Sequence, residues 1–168
     1  GRTGDVDAQD AFSAGGWFMP LAKPGGGGTG DGTLLSRYHS PEKGPGRGWE
    51  IYIEKNRLVI NLADGPAGRA LTVVSRDVLP NGDWQHVFFT YDGSRRAAGL
   101  QVYLNGKAIR RTVRSDNLDP RRPLLTPAAP LRYTDSEPLR KGSAPDIRLF
   151  RRAALESLGQ VAMRAHQR

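Results

Sequence analysis

The sequence predicts an all-β protein, a two-sheet antiparallel β-sandwich in a single domain spanning residues 1–168. Three observations predict it. Aromatic and β-branched residues alternate with polar ones over short runs, the period of a half-buried strand. The 21 glycines and 12 prolines are enough to separate many short strands by turns. No strand–helix–strand alternation occurs, so nothing calls for a parallel sheet. At 168 residues the chain is long enough to bury a core of its own.

The strongest stretch is Trp84–Lys107. Trp84–Tyr91 places Val87, Phe89 and Tyr91 on one face and His86, Phe88 and Thr90 on the other. Leu100–Asn105 alternates in the same way. The segment between them, Asp92 to Gly99, is too long for a two-residue hairpin, so a longer loop joins antiparallel partners. Asn105-Gly106 then opens a tight turn.

The other elements follow in chain order. Ala11–Met19 is a strand weakened by Gly15-Gly16, the mark of a bulge or a close backbone approach. Trp17 and Phe18 fall on opposite faces, so at least one is core. Pro20–Gly32 is a loop, and its four consecutive glycines lack the Gly-Lys-Ser/Thr that a phosphate cradle requires. Thr33–Tyr38 is a short strand and His39–Gly48 a Gly- and Pro-rich loop. Trp49–Glu54 is a clear strand, with Trp49, Ile51 and Ile53 on one face and Glu50, Tyr52 and Glu54 on the other. Asn56-Arg57 turns it back into Leu58–Leu62. Leu71–Ser75 is the next strand, and Pro80-Asn81-Gly82 the turn after it. Ala108–Val113 reads as one further strand, and residues 116–130 as a connector too rich in proline for a central strand or a helix. Leu131–Tyr133 and Ala144–Phe150 are the last strands, and Arg152–Met163 has helical spacing through Leu155, Leu158, Val161 and Ala162. Trp17, Trp84, Phe89 and Tyr103 are expected mainly in the core.

Composition limits the function classes. There are no cysteines, hence no disulfide framework, thiolate metal site or thiol nucleophile. No apolar run reaches the length of a membrane span, so no membrane insertion is expected. The net charge of +8 is uneven: residues 1–94 hold 9 basic and 11 acidic residues, and residues 95–168 hold 16 basic and 6 acidic. That asymmetry fits either a solvated arginine-rich surface or a face for polyanions. Nucleic acid is not an expected partner, because no nucleic-acid-binding signature accompanies the charge. His39, His86 and His166 are scattered, which leaves Ser-His-Asp chemistry without support, and His86 is expected as a packed imidazole.

Several runs together resemble a known family. Asp83-Trp84-Gln85-His86-Val87, Thr90-Tyr91-Asp92-Gly93 and Val102-Tyr103-Leu104-Asn105-Gly106-Lys107 look like the signature of laminin-G-like domains, in the concanavalin-A-like lectin/glucanase superfamily. The flanks agree, from Phe12…Trp17 to Asp146-Ile147-Arg148-Leu149-Phe150 with Arg152-Ala153-Ala154-Leu155. Leu34-Leu35-Ser36-Arg37, then Arg47-Gly48-Trp49-Glu50-Ile51-Tyr52, resembles the laminin-G-like insert of large planctomycete proteins that also carry cytochrome-c-like domains. Family members usually have one more strand before Gly4; this sequence starts without it, which fits either a trimmed piece or a short first strand. The resemblance implies a jelly-roll sandwich, a larger exported parent from which this domain is a piece, a periplasmic or extracellular location, and a carbohydrate-binding or contact role.

Sugar recognition needs an aromatic ring against the apolar face of a pyranose, with planar polar groups for the hydroxyls. The candidates are Trp49, Tyr52, Tyr38 and His39, with Arg37, Arg47 and Asp64 as polar partners. Tyr52 is the most informative, since its face carries Glu50 and Glu54 instead of apolar neighbours. Arginines at 37 and 47, with the arginine-rich second half, suit a sulfated or otherwise acidic polysaccharide. The alternatives are a module that packs on neighbouring domains or other proteins, and a glycoside hydrolase. For hydrolysis, Glu50-Ile51-Tyr52-Ile53-Glu54 offers two carboxylates on one strand face. Their backbones lie about 13 Å apart, against the ~5–5.5 Å carboxyl separation of a retaining pair, and Tyr52 stands where the family's glucanases hold a central carboxylate. No catalytic residue is therefore assigned. Calcium is the one metal the resemblance raises, and it needs about six to eight oxygens. Asp31, Asp64, Asp92, Asp135 and Asp146 lie on or near loops without the spacing of a calcium loop, so no cofactor is expected, and a structural calcium is the alternative the resemblance leaves open.

Overall fold

The computed structural model describes residues 6–20, 31–39, 46–65, 69–80, 82–119, 121–124, 132–133 and 148–150. Eleven strands form among them: β1 (Phe12–Phe18), β2 (Gly32–His39), β3 (Arg47–Glu54), β4 (Arg57–Asp64), β5 (Ala70–Ser75), β6 (Gln85–Tyr91), β7 (Leu100–Leu104), β8 (Lys107–Ala108), β9 (Arg111–Asp116), β10 (Arg132–Tyr133) and β11 (Arg148–Phe150). They build two antiparallel sheets. One has five strands in the order β11-β1-β6-β7-β8, the other six in the order β10-β2-β3-β4-β5-β9. The all-β sandwich is as expected from the alternation. The helix expected over Arg152–Met163 lies outside the described residues.

The core forms where the inward faces of the two sheets meet. Phe12, Phe18, Val87, Phe89, Tyr91, Leu100 and Val102 come from the five-stranded sheet. Trp49, Ile51, Ile53, Leu58, Ile60, Leu62, Leu71 and Val73 come from the six-stranded sheet. Trp49 binds the layers together, with its ring 5.8 Å from Phe12 and 6.0 Å from Phe89, both on the opposite sheet. Tyr91 anchors a loop as well as filling space. Its buried hydroxyl donates to the Ala8 carbonyl at 2.6 Å and accepts from the Arg95 N–H at 2.7 Å. Burial pushes this phenol up to about 12. The long loop after β6 closes through a one-turn 3₁₀ helix at Ala97–Gly99.

Three sequence expectations change. The strand read over Ala108–Val113 is two strands, because the chain crosses from the five-stranded sheet at β8 to the six-stranded sheet at β9. The β3–β4 turn is Lys55-Asn56, not Asn56-Arg57. Both residues have positive φ (51° and 57°), and Glu54 pairs with Arg57 across the turn; this is the two-residue geometry whose twist matches that of the strands. Among the aromatics expected in the core, Phe89 is fully buried, but Trp17 and Tyr103 are half-buried and Trp84 is 40% exposed. Trp17, His86, Phe88 and Tyr103 instead form a row of ring contacts on the outward face of the five-stranded sheet. His86 is thus a packed imidazole, stacked on Phe88 and tilted against Trp17.

Candidate functional site

Strand pairing decides which candidate residues share a surface. On β3, Trp49, Ile51 and Ile53 face the core, so Arg47 shares their parity, while Gly48, Glu50, Tyr52 and Glu54 face outward. Arg37 pairs with Trp49, His39 with Arg47, and Asp64 with Arg47, which puts all three on the inward side. Tyr38 pairs with Gly48 and faces outward. The seven residues singled out in the sequence therefore do not form one cluster. Tyr38 and Tyr52 share the outer face of the six-stranded sheet. Trp49, Arg37, Arg47, His39 and Asp64 lie on its core-facing side.

Three of those five have structural settings. Trp49 is 0% exposed at the centre of the core, so it has no surface for a ligand. Arg37 is 3% exposed beside it. Asp64 is 0% exposed and accepts the Asp119 N–H at 2.6 Å, tying the chain beyond β9 to the end of β4. Asp119 in turn holds Arg69 at 2.6 Å, and the hydrogen bond from the Arg121 N–H is the leading cause that keeps its carboxyl below the usual range.

The outer face carries a polar row that sequence reasoning did not assemble. Ser36, Glu50, Asn61, Thr72 and Ser115 are successive cross-strand partners from β2 to β9. The Asn61 amide donates to Glu50 Oε1 at 2.9 Å, and the Thr72 hydroxyl donates to Asn61 Oδ1 at 2.9 Å. The adjacent row holds Tyr52, Val59, Val74 and Thr112. Tyr38, Gly48, Ala63 and Ala70 form the row on the other side of Glu50.

Arg114, at a register irregularity of β9, hydrogen-bonds and ion-pairs with Glu54 of β3, and also hydrogen-bonds Tyr52. Strands β5 and β4 lie between the two partners. Three strand spacings of about 4.8 Å amount to ~14 Å on a flat sheet, more than the two side chains comfortably span. The contact therefore requires the sheet to curl toward its outer face, about an axis along the strands. Val59 fits this curl: it sits on the outer face beneath that crossing and is 0% exposed. Such a curl makes a trough along β3 and β4; Arg114, whose backbone lies between the Ile51 and Glu50 rows, crosses it over the Tyr52–Val59–Val74 row to reach Glu54.

The electrostatics follow the geometry. Burial pushes the Glu50 carboxyl up, and the Asn61 hydrogen bond offsets part of that. Burial, then the neighbouring Glu50 charge, raises both Tyr38 and Tyr52, with Glu54 adding to Tyr52. The hydrogen bond from Arg114 holds Glu54 below its usual range. Glu50 thus sits between the two tyrosines as a partly desolvated acid, whereas Glu54 is neutralised by its pair.

A stability test follows from the raised Glu50. Its folded-state pKa lies above the unfolded value, so the native state binds more protons across that window. Stability then falls as pH rises from the unfolded pKa through the folded one, and the loss is complete above both. Glu50→Gln, which keeps a side-chain oxygen for Asn61 and removes the charge, is expected to raise the unfolding midpoint at pH 7. It is expected to change it little at pH 4. Thermal unfolding at the two pH values checks this, and an equal shift at both would contradict it.

The two glutamates of the hydrolase alternative share this face but are tied to different partners, Glu50 to Asn61 and Glu54 to Arg114, with Tyr52 between them. The aspartates weighed for calcium do not gather. Asp31 accepts from the Lys55 N–H, Asp64 from the Asp119 N–H and Asp92 from the Ser94 N–H, while Asp135 and Asp146 lie outside the described residues. Among the described residues no three metal-ligating side chains cluster. Nor does any described helix have the length and apolar character to cross a membrane.

A family profile described as the concanavalin A-like lectin/glucanases superfamily, of the laminin-G type, matches residues 2–157. The chain belongs to this superfamily. Its fold is similar to the binding domain of Paraclostridial Mosquitocidal Protein 1, with a TM-score of 0.57 and 18% identity over 95% of this chain and 38% of that one. The chain thus spans well under half of that structure. A heptameric SAP-like pentraxin from Limulus polyphemus matches with a TM-score of 0.37 and 16% identity, over 65% of this chain and 48% of the pentraxin. No curated protein matches in sequence.

Proposed function

We propose that this laminin-G-type domain is a non-catalytic carbohydrate-binding module, and that its site is the trough on the outer face of the six-stranded sheet. The observation that supports this best is the pair of half-buried tyrosines, Tyr38 and Tyr52, on either side of the hydrogen-bonded Glu50–Asn61–Thr72 row. Rings supply the apolar surface that a pyranose stacks on, and the fixed carboxylate, amide and hydroxyl supply acceptors and donors for its hydroxyls. Membership of a superfamily of lectins and glucanases fits such a ligand, as does the similarity in fold to a domain described as a binding domain. The reading includes a larger, exported parent of the planctomycete type, with the module outside the cytoplasm and next to other domains of that parent.

Affinity electrophoresis on a panel of polysaccharides at low salt tests the reading. The wild type is expected to be retarded on at least one gel. Tyr52→Ala is expected to reduce that binding at least tenfold while shifting the unfolding midpoint by only a few degrees. No retardation on any polysaccharide would favour the second reading, a module that packs on neighbouring domains. Release of reducing ends that is lost in Glu50→Gln and Glu54→Gln would favour hydrolysis instead.

A further inference from the structure

We infer, on the basis of the glycan-binding reading above, that the trough takes an uncharged polysaccharide as an extended chain lying along β3, and that it excludes sulfated and uronic chains.

The first half of this rests on spacing. Tyr38 lies opposite Gly48, and Tyr52 stands four residues further along β3 on the same face. Four strand residues correspond to about 13 Å. The Tyr38 ring leans further from Tyr52, over Gly46: a Cβ on Gly46 would fall 2.3 Å from that ring. One pyranose cannot touch both rings, but several linked sugars can. Beside Tyr38 the trough floor is low, since Gly48 has no side chain and Ala63 next to it only a methyl, and the Glu50–Asn61 row lies between the rings. The curl that brings Arg114 to Glu54 sets the trough axis along the strands, so a chain lying in it from Tyr38 reaches Tyr52, where the Arg114 side chain crosses.

The second half rests on where the charges are. Arginines 37 and 47, the natural partners of a sulfate group on this part of the chain, belong to the core-facing side of β2 and β3. Arg114 is paired with Glu54, and Arg57 at the strand end donates to the Ser75 carbonyl. The charge that stands midway between the tyrosines is that of Glu50. A carboxylate or sulfate arriving there would meet a like charge in a half-buried setting, where such repulsion is weakly screened. The hydroxyl of a neutral sugar meets a hydrogen-bond acceptor instead. On the edge strand β10, Arg132 is the cross-strand partner of Ser36 and so lies two strands from Glu50, at the rim of the trough and not between the tyrosines.

Titration calorimetry with the full chain tests both halves, using a neutral glucan or mannan series from one to six sugars and alginate and heparin oligosaccharides of matched length. Affinity is expected to rise at least tenfold between the monosaccharide and the shortest oligomer that reaches both rings, and then to level off. Tyr38→Ala and Tyr52→Ala are each expected to remove that gain while leaving the fold intact by circular dichroism. Glu50→Gln is expected to admit the alginate oligomers that the wild type rejects. A monosaccharide that binds as tightly as the hexamer would overturn the extended mode. Wild-type preference for heparin or alginate over every neutral chain would overturn the charge selection, even if Tyr52→Ala still abolished binding. Absence of any glycan binding removes the underlying reading as well.

Discussion

Trp49→Ala is expected to cost about 3–5 kcal/mol of stability, the range for removing a large aromatic from a well-packed core. Trp49 is the largest fully buried side chain, and it touches Phe12 and Phe89 across the interface between the sheets. Its loss leaves a cavity between two sheets that twist independently, so the walls cannot close it by a small movement of one strand. Domains of this size have roughly 5–15 kcal/mol to lose, and each kcal/mol moves the midpoint by ~2–4 °C. A fall of about 6–20 °C is therefore expected, with Trp49→Phe in between. Chemical denaturation read by circular dichroism measures this directly. A tryptophan lining a ligand groove would behave differently, with a cost under about 1 kcal/mol on replacement and a large loss of affinity. A change below 1 kcal/mol in Trp49→Ala would contradict the burial.

Gly48→Ala is expected to be nearly as damaging, although it adds only a methyl group. Gly48 has φ of +122°, a region that side chains rarely adopt, and a Cβ there would lie 2.0 Å from the Arg37 carbonyl oxygen. The obstacle is backbone of the paired strand, not the flexible end of a side chain. A strained backbone position costs ~1–3 kcal/mol and forced overpacking ~1–3 kcal/mol. A total of about 2–6 kcal/mol is expected, along with a disturbed register between β2 and β3. Gly32→Ala, where a Cβ meets nothing within 4 Å, is the control and is expected to stay within about 0.5 kcal/mol of wild type. Similar effects of the two substitutions would show that the close approach at Gly48 is relieved by local adjustment.

The β-sandwich was legible because burial in a sheet has a period of two, and Val87/Phe89/Tyr91 and Trp49/Ile51/Ile53 display it without interruption. The same parity could have corrected the site. Arg37, Arg47 and Asp64 are close in sequence to Tyr38 and Tyr52, but residues one apart on a strand point to opposite faces. Asn61 was missed for a narrower reason. Taking Asn56-Arg57 as the turn sets Glu50 opposite Ala63; the actual Lys55-Asn56 turn sets it opposite Asn61. Lysine at a positive φ is an uncommon choice, so composition pointed one residue too far along. Arg114 was out of reach altogether. It sits at a register irregularity and meets β3 only because the sheet curls, a property of the whole sheet that no local pattern encodes.

The pairing of β1 with β11 has a consequence for any longer chain that contains this domain. Ser13 and Phe150 are cross-strand neighbours, about 4.5–5.5 Å apart at their Cα atoms. Among the described residues, the first strand thus begins beside the end of the last, like both wires of a lamp passing through a single fitting. A host protein could accept the domain at a surface loop with almost no change in its own path.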